Sequence, residues 1–310
     1  MEYTILGASD LRASKISLGT WQFGTEAWGF GVDFTERDAL ATVDRALELG
    51  LNFIDTAEVY GDGRSEELVG RAIEGKRDKV IIAIKVSGGH LRAHDLVRAC
   101  EGSLRRLGVE TIDLYQVHWP NAYVPLEETM AALDKLIEQG KVRYVGVSNF
   151  PAPLLKEAQR HFKHKIVSNQ VRYNLLQRDI EKELLPYCQG QRIAVIAYSP
   201  LAQGLLTGKY DEKNLPDDKV REHNPLFRGE NLKRALEVVS ALKEIGAAHG
   251  KTPAQVALRW LIEQEDVVAI PGAKRPEQVE ANASALGWSL APQEVARLDR
   301  LTAGLTLSYL

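Results

Sequence analysis

The sequence predicts a single α/β domain over residues 1–310, a (β/α)8 TIM barrel with an N-terminal β-hairpin and extra C-terminal helices. Three observations lead there. The chain has 310 residues, 45% of them hydrophobic, enough for a large core, and an α/β barrel commonly takes about 250 residues as one domain. Short aliphatic runs alternate with helix-period segments along the chain, the pattern of a parallel sheet covered by helices. Runs such as Val80-Ile-Ile-Ala-Ile84 are apolar on both faces, as fully covered parallel strands are.

The elements follow in order. Residues 3–6 and 11–14 flank Gly7-Ala-Ser-Asp10 and read as a small hairpin. The first apolar run is 16–21, followed by a loop rich in glycine and aromatics. Thr35 is placed to cap the next helix, whose apolar positions Ala39, Val43, Ala46, Leu47 and Leu49 keep helical spacing up to Gly50. Further strands are predicted over 52–55, 80–85, 112–118, 142–148, 166–170, 193–198 and 267–270. Helices are predicted over 65–74, 94–107, 126–139, 153–162, 179–188 and 275–286. Segment 201–229 is long for a βα loop and reads as functional. Two helices, 230–248 and 253–264, follow it; Thr252, Pro253 and Gln255 supply the second with a cap, a first-turn proline and a capping-box partner. A last helix is predicted over 292–302. The short tail after Gly304 predicts an open site without a long C-terminal lid.

Composition excludes several classes. The formal net charge is −3 with both signs interspersed, so no basic stripe offers a nucleic-acid footprint. Cys100 and Cys188 are the two cysteines, which fits a reducing compartment and ordinary buried thiols. The first residues lack a basic start and a long apolar core, and no aliphatic run is long enough to span a bilayer. A cytoplasmic protein is expected. No dinucleotide fingerprint, Walker loop, HExxH pair or G-x-S-x-G elbow is present. Alternating charges on the helices predict solvated outer faces, with no surface marked for assembly.

The chemistry is expected where strands end. The stretch Asn52-Phe-Ile-Asp-Thr-Ala-Glu-Val-Tyr60 puts Asp55 at a strand terminus and Tyr60 on the loop beyond. Later runs also stop at polar residues: Lys85, His118, Asn149, Gln170 and Tyr198. Lys85 at the top of a buried strand needs a carboxylate, and Asp55 ends the preceding strand at a comparable level. An ammonium near Tyr60 favours phenolate and is expected to lower the Tyr60 pKa, which makes that phenol a tuned general acid. At the carboxyl face of a barrel, His118 is a candidate for orienting a substrate oxygen.

Asp55, Tyr60, Lys85 and His118 with their neighbours resemble the catalytic tetrad of the aldo-keto reductases. Gly146-Val-Ser-Asn149, Ser168-Asn-Gln170, Ala197-Tyr-Ser-Pro-Leu-Ala-Gln-Gly204, Ile270-Pro-Gly-Ala-Lys-Arg-Pro-Glu-Gln278 and Asn282 extend the likeness over essentially the whole chain, which resembles the branch of bacterial general reductases and potassium-channel beta subunits. The resemblance implies reversible reduction of aldehydes or ketones with NADPH/NADP+, with NADH less preferred and the cofactor extended across the barrel mouth. By matching positions, Ser148, Asn149 and Gln170 would hold the carboxamide and Tyr198 would stack on the nicotinamide ring. Ser199, Pro200, Leu201, Gln203 and Gly204 would wrap the pyrophosphate, and Lys274 with Arg275 would meet the 2′-phosphate. Gly19, Thr20, Trp21, Asp55, Lys209, Ile270, Pro271, Gly272, Ala273 and Gln278 complete the implied cofactor set. Some members carry arginine where Gln278 stands, which loosens the preference for NADPH; Asn282 keeps the adenine contact.

Trp21, Trp28, Phe30 and Trp119 lie in or beside mouth loops and predict a pocket that accepts apolar or aromatic carbonyl compounds. The family also implies a second reading, a cofactor-binding regulatory protein like the channel beta subunits, with slow turnover.

Overall fold

A computed structural model describes residues 1–218, 220–222 and 224–305. The hairpin comes first: strands β1 (Tyr3–Ile5) and β2 (Arg12–Ser14) pair antiparallel. It plugs one end of the barrel, for Leu6, Leu11 and Ala13 are buried against Phe53, Ile81, Val167, Ile196 and Val268 in the interior. Its turn begins at Gly7 with φ 56°, where a Cβ would lie 2.1 Å from the Val167 carbonyl oxygen. Only glycine fits there.

Eight parallel strands follow in chain order: β3 (Leu18–Gly19), β4 (Phe53–Asp55), β5 (Ile81–Val86), β6 (Ile112–Val117), β7 (Val142–Ser148), β8 (Ile166–Arg172), β9 (Ala194–Tyr198) and β10 (Val267–Ala269). Bridges from Ile16 to Ala269 and from Gly19 to Gly272 close the ring. Ser17 N–H donates to Ala269 O at 2.9 Å and Gly19 N–H to Pro271 O at 3.2 Å. All eight predicted strands are present. The first is shorter than the apolar run 16–21, because the chain turns into the mouth loop after Gly19.

The helices are α1 (Glu36–Glu48), α2 (Arg64–Ala72), α3 (Ala93–Leu107), α4 (Leu126–Glu138), α5 (Ala152–His161), α6 (Leu184–Gln191), α7 (Gly229–His249), α8 (Pro253–Ile262), α9 (Pro276–Ala283) and α10 (Pro292–Thr302). Their apolar faces pack on the outside of the strands as a second core layer. The capping box of α8 forms as predicted: Thr252 N–H donates to Gln255 Oε1 at 2.9 Å and Gln255 N–H to Thr252 Oγ1 at 3.3 Å.

One helix differs from the prediction. Instead of a helix over 179–188, a 3-10 turn covers Asp179–Lys182 and α6 starts at Leu184. Pro186 explains it: a continuous helix would drive its ring into the carbonyl of Lys182, whereas a restart puts the proline in a first turn, where its missing N–H costs nothing.

A register slip in the sheet matters for the site. Val145 faces Ile166 while Gly146 faces Ser168. A Cβ on Gly146 would sit 2.3 Å from Ser168 Oγ. The slip keeps Val167 in the interior cluster and still turns Gln170 inward at the mouth. No helix among the described residues is long and apolar enough to cross a membrane. Residues 306–310, and with them most of the tail expected to leave the site open, lie outside the described residues.

Candidate active site

At the carboxyl ends of β4 and β5, Lys85 Nζ donates to Asp55 Oδ1 at 2.6 Å and to Thr56 O at 2.8 Å. Both side chains are buried. The second carboxylate oxygen accepts from Gln170 Nε2 at 2.7 Å and from Gln116 Nε2 at 3.3 Å. Asp55 is therefore satisfied from three strands, which offsets the cost of placing a charge pair out of water. Burial alone would push the Lys85 pKa down, yet the Asp55 carboxylate and the Tyr60 hydroxyl hold it above the ordinary lysine value. Lys85 is an ammonium ion at neutral pH.

Tyr60 sits on the turn beyond β4, with Lys85 Nζ 4.8 Å from its ring centroid. The expected lowering of its pKa is not the net result. Burial pushes the phenol above its ordinary value; Lys85 pulls the other way without cancelling the rise, and Asp55 adds to it. In the free protein Tyr60 carries its proton firmly. His118 lies edge-on to Tyr60, centroids 5.7 Å apart at 80°. Burial, then the charge of Lys85, pushes its pKa down to about 3. The imidazole is neutral, so one ring nitrogen donates and the other accepts.

Beside this group lies a polar band. Tyr198 OH donates to Asn149 Oδ1 at 3.0 Å. Asn149 Nδ2 donates to His118 O at 3.1 Å and to Ser148 Oγ at 3.0 Å. Ser148 Oγ donates in turn to Gln170 O at 2.8 Å. Asn149 adopts a left-handed backbone, φ 62°, a conformation that asparagine tolerates better than most residues.

Across the mouth, the segment after β9 winds through left-handed residues Ser199 (φ 50°), Gln203 (φ 54°) and Gly204 (φ 94°). Pro200 and Leu201 lie between them, and Leu201 O accepts from Gly204 N–H at 2.9 Å. Arg221 Nε donates to Gln203 O at 2.8 Å. The Lys274 pKa is pushed down by burial and by the nearby charges of Arg221 and Lys209, against the pull of Asp33. Three cations share this region with two carboxylates, Asp33 and Asp218, the latter paired with Arg221, which leaves one excess positive charge, a setting that suits an anion. Lys274 Nζ is 3.8 Å from Asp33 Oδ2, and Arg275 bonds the Asp33 carbonyl at the start of α9. Gln278 accepts from Lys274 N–H at 2.7 Å. Ala273, Asn282 and Ile270 are buried.

Other expected residues frame the groove. Gly272 leaves room for the Gln22 amide, since a Cβ there would lie 1.9 Å from Gln22 Nε2. Thr20 stands behind Asp55, its hydroxyl donating to Asp55 O at 3.0 Å. Among the four aromatics expected at the pocket, Trp21 and Trp119 are 40% and 52% exposed at the mouth. Trp28 is buried behind Trp21, their centroids 5.1 Å apart, and Phe30 packs edge-on against Phe34.

Sequence reasoning passed over Gln116 and Arg221. Gln116 on β6 lies two residues before His118, which directly follows the strand, so strand alternation carried one residue further turns both side chains to one face; that parity is the signal for it. Arg221 lies within the long loop, with its guanidinium carbon 4.9 Å from the Trp28 ring centroid; nothing local marks it.

Known proteins share this architecture. The sequence profile of the aldo/keto reductase family matches residues 15–303. The aldo-keto reductase YhdN of Bacillus subtilis is 38% identical over 309 residues, spanning 95% of this chain and 91% of that protein. An uncharacterized oxidoreductase of Mycobacterium tuberculosis is 41% identical over 282 residues, spanning 91% of this chain and 87% of its own. Among solved structures, a glycerol dehydrogenase from Gluconobacter oxydans superposes with a TM-score of 0.88 at 35% identity, covering 97% of this chain and 95% of its own. An aldo/keto reductase from Klebsiella pneumoniae in complex with NADP and acetate gives 0.79 at 35% identity, covering 97% and 96%. The eight-stranded barrel with its mouth-side polar cluster belongs to a member of the aldo/keto reductase family.

Proposed function

We propose that this protein is a single-domain cytoplasmic carbonyl reductase that uses NADPH to reduce aldehydes or ketones to alcohols, reversibly, with Tyr60 as the general acid. The observation that carries the reading is the chain Asp55–Lys85–Tyr60, a buried carboxylate and ammonium ending beside a protonated phenol.

The residues fit the cofactor. Lys209, Arg221 and Lys274 outnumber the carboxylates Asp33 and Asp218 beside them, which leaves positive charge on one side of the groove. The segment after β9, which would wrap the pyrophosphate, turns through the left-handed residues Gln203 and Gly204, and the bare Gly272 lets the Gln22 amide pack at the same edge. Ser148, Asn149 and Gln170 would hold the carboxamide and Tyr198 the ring. Lys274 with Arg275 would meet the 2′-phosphate, and the exposed Trp21 and Trp119 would take the substrate's apolar part. Bound NADPH supplies the hydride.

The protein's own part is a proton transfer. The Tyr60 hydroxyl gives its proton to the carbonyl oxygen as negative charge develops there. Because burial keeps that phenol protonated, the acid form is the resting form. The phenolate left behind is stabilised by the Lys85 ammonium, which Asp55 holds in place and Gln170 and Gln116 steady in turn. Neutral His118 donates an N–H to the same oxygen and fixes its direction.

The test is the decay of nicotinamide absorbance with a simple aromatic aldehyde, using NADPH and then NADH. Decay that is faster with NADPH supports the reading; binding of either cofactor without decay across a panel of aldehydes and ketones contradicts it.

A further inference from the structure

Between Asp55 and Tyr60 stands Glu58, whose side chain is only 9% exposed. Its Oε1 accepts from Ser87 N–H at 2.6 Å and lies 2.9 Å from His90 Nδ1. The backbone around it continues the β4–β5 ladder past the end of β4: Thr56 N–H donates to Ala83 O at 2.9 Å and Glu58 N–H to Lys85 O at 3.3 Å. In a regular parallel pair the next bond would run from Ser87 N–H to the Glu58 carbonyl. Here the Glu58 carboxylate takes that N–H instead. The main chain is thereby free to turn at Val59, where Tyr60 N–H reaches back to Ala57 O at 3.1 Å, while the end of β5 stays held.

The segment held this way touches the rest of the site. Ser87 opens a 3-10 turn over Gly88–His90. Asn121 Nδ2 donates to Gly88 O at 2.8 Å, and a Cβ on Gly88 would come 3.0 Å from Trp119 O. The chain that follows His118 therefore rests on this turn. His118 N–H itself donates to Val86 O at 2.9 Å. One carboxylate joins the loop of Tyr60, the end of the Lys85 strand and the support of His118.

We propose that Glu58 is a positioning residue: by replacing a backbone acceptor at the end of the β4–β5 ladder, it sets the distance between the Tyr60 hydroxyl and His118. The proposal rests on Tyr60 acting as the acid. A carboxylate that only stabilised the fold would act on stability and leave the register of the two loops alone.

Two variants test it, Glu58→Ala and Glu58→Gln. The amide keeps an acceptor oxygen for Ser87 N–H; alanine leaves none. In Glu58→Ala, kcat for carbonyl reduction is expected to fall about 10- to 100-fold, the scale of a small misplacement of reacting groups, with NADPH affinity unchanged; Glu58→Gln recovers most of the rate. Amide hydrogen exchange gives a second readout that needs no turnover: Ser87 is protected in wild type and Glu58→Gln and exchanges faster in Glu58→Ala. Unchanged exchange at Ser87 in Glu58→Ala overturns the clamp. So does an unchanged kcat in an active enzyme, or a loss that Glu58→Gln does not recover. A wild-type protein inert toward every carbonyl contradicts the reductase reading and with it the positioning of an acid.

Discussion

Lys85 Nζ and Asp55 Oδ1 lie 2.6 Å apart with side chains 1% and 2% exposed, the most completely enclosed ion pair among the described residues. Breaking such a pair leaves one charge buried and uncompensated, at a cost of about 3–5 kcal/mol. Asp55→Asn is therefore expected to lose about 3 kcal/mol or more of unfolding free energy in urea titration. A loss below about 1 kcal/mol, the scale of an exposed pair, contradicts the enclosure.

His118 gives the site a pH signature. Its pKa in the fold is pushed down to about 3 from 6.5, so the unfolded chain binds the proton more readily than the fold does. The stability this group contributes is complete above pH 6.5 and is lost as the pH falls toward 3, at up to about 1.4 kcal/mol per pH unit. Comparing melting temperatures at pH 7 and pH 5, wild type should lose more than His118→Asn. Equal losses would show that the imidazole is not held neutral.

The two glycines of the barrel closure predict different responses to a methyl group. At Gly19 a Cβ lies 2.8 Å from the Ile270 carbonyl oxygen, a backbone atom of the facing strand end; at Gly272 it meets the far end of the Gln22 side chain. Backbone has less room to give than a side-chain tip. Gly19→Ala should destabilise by about 1–3 kcal/mol and Gly272→Ala by less, while shifting the Gln22 amide and weakening NADPH binding. Thermal melts and cofactor titration of the two variants check the order.

Lys274 is expected to separate the two nicotinamide cofactors. A hydrogen bond to a charged group contributes about 1.5–3 kcal/mol, so Lys274→Met should weaken NADPH about 10- to 100-fold and leave NADH nearly unchanged, as read by fluorescence titration. Asp33, 3.8 Å from Lys274 Nζ, works against a phosphate; Asp33→Asn should strengthen NADPH binding.

Most of the barrel was legible because buried parallel strands are aliphatic on both faces and stop abruptly at polar residues. Asp55, Lys85, His118, Asn149, Gln170 and Tyr198 were each visible as such stops, and the structure brings all six to one mouth. What was hidden depends on side-chain direction or on distant partners. Gln116 looked like strand interior, and only the inward face of β6 reveals it. Glu58 stood inside the most informative stretch of the sequence, yet its role depends on Ser87, nearly thirty residues away. The sign of the Tyr60 shift required weighing burial against one ammonium, and burial is a property of the whole mouth. Pro186 held the one local signal that should have moved the start of α6.

The most direct measurement is turnover of Tyr60→Phe beside wild type, with NADPH and an aromatic aldehyde, and NADPH affinity measured on the same samples. The phenyl ring keeps the packing against His118 and Lys85 and removes only the proton donor. Tyr60→Phe should keep NADPH affinity unchanged and lower kcat about 10²-fold or more, the contribution of general acid catalysis. Turnover within a few-fold of wild type would contradict it, since the proton would then come from another group.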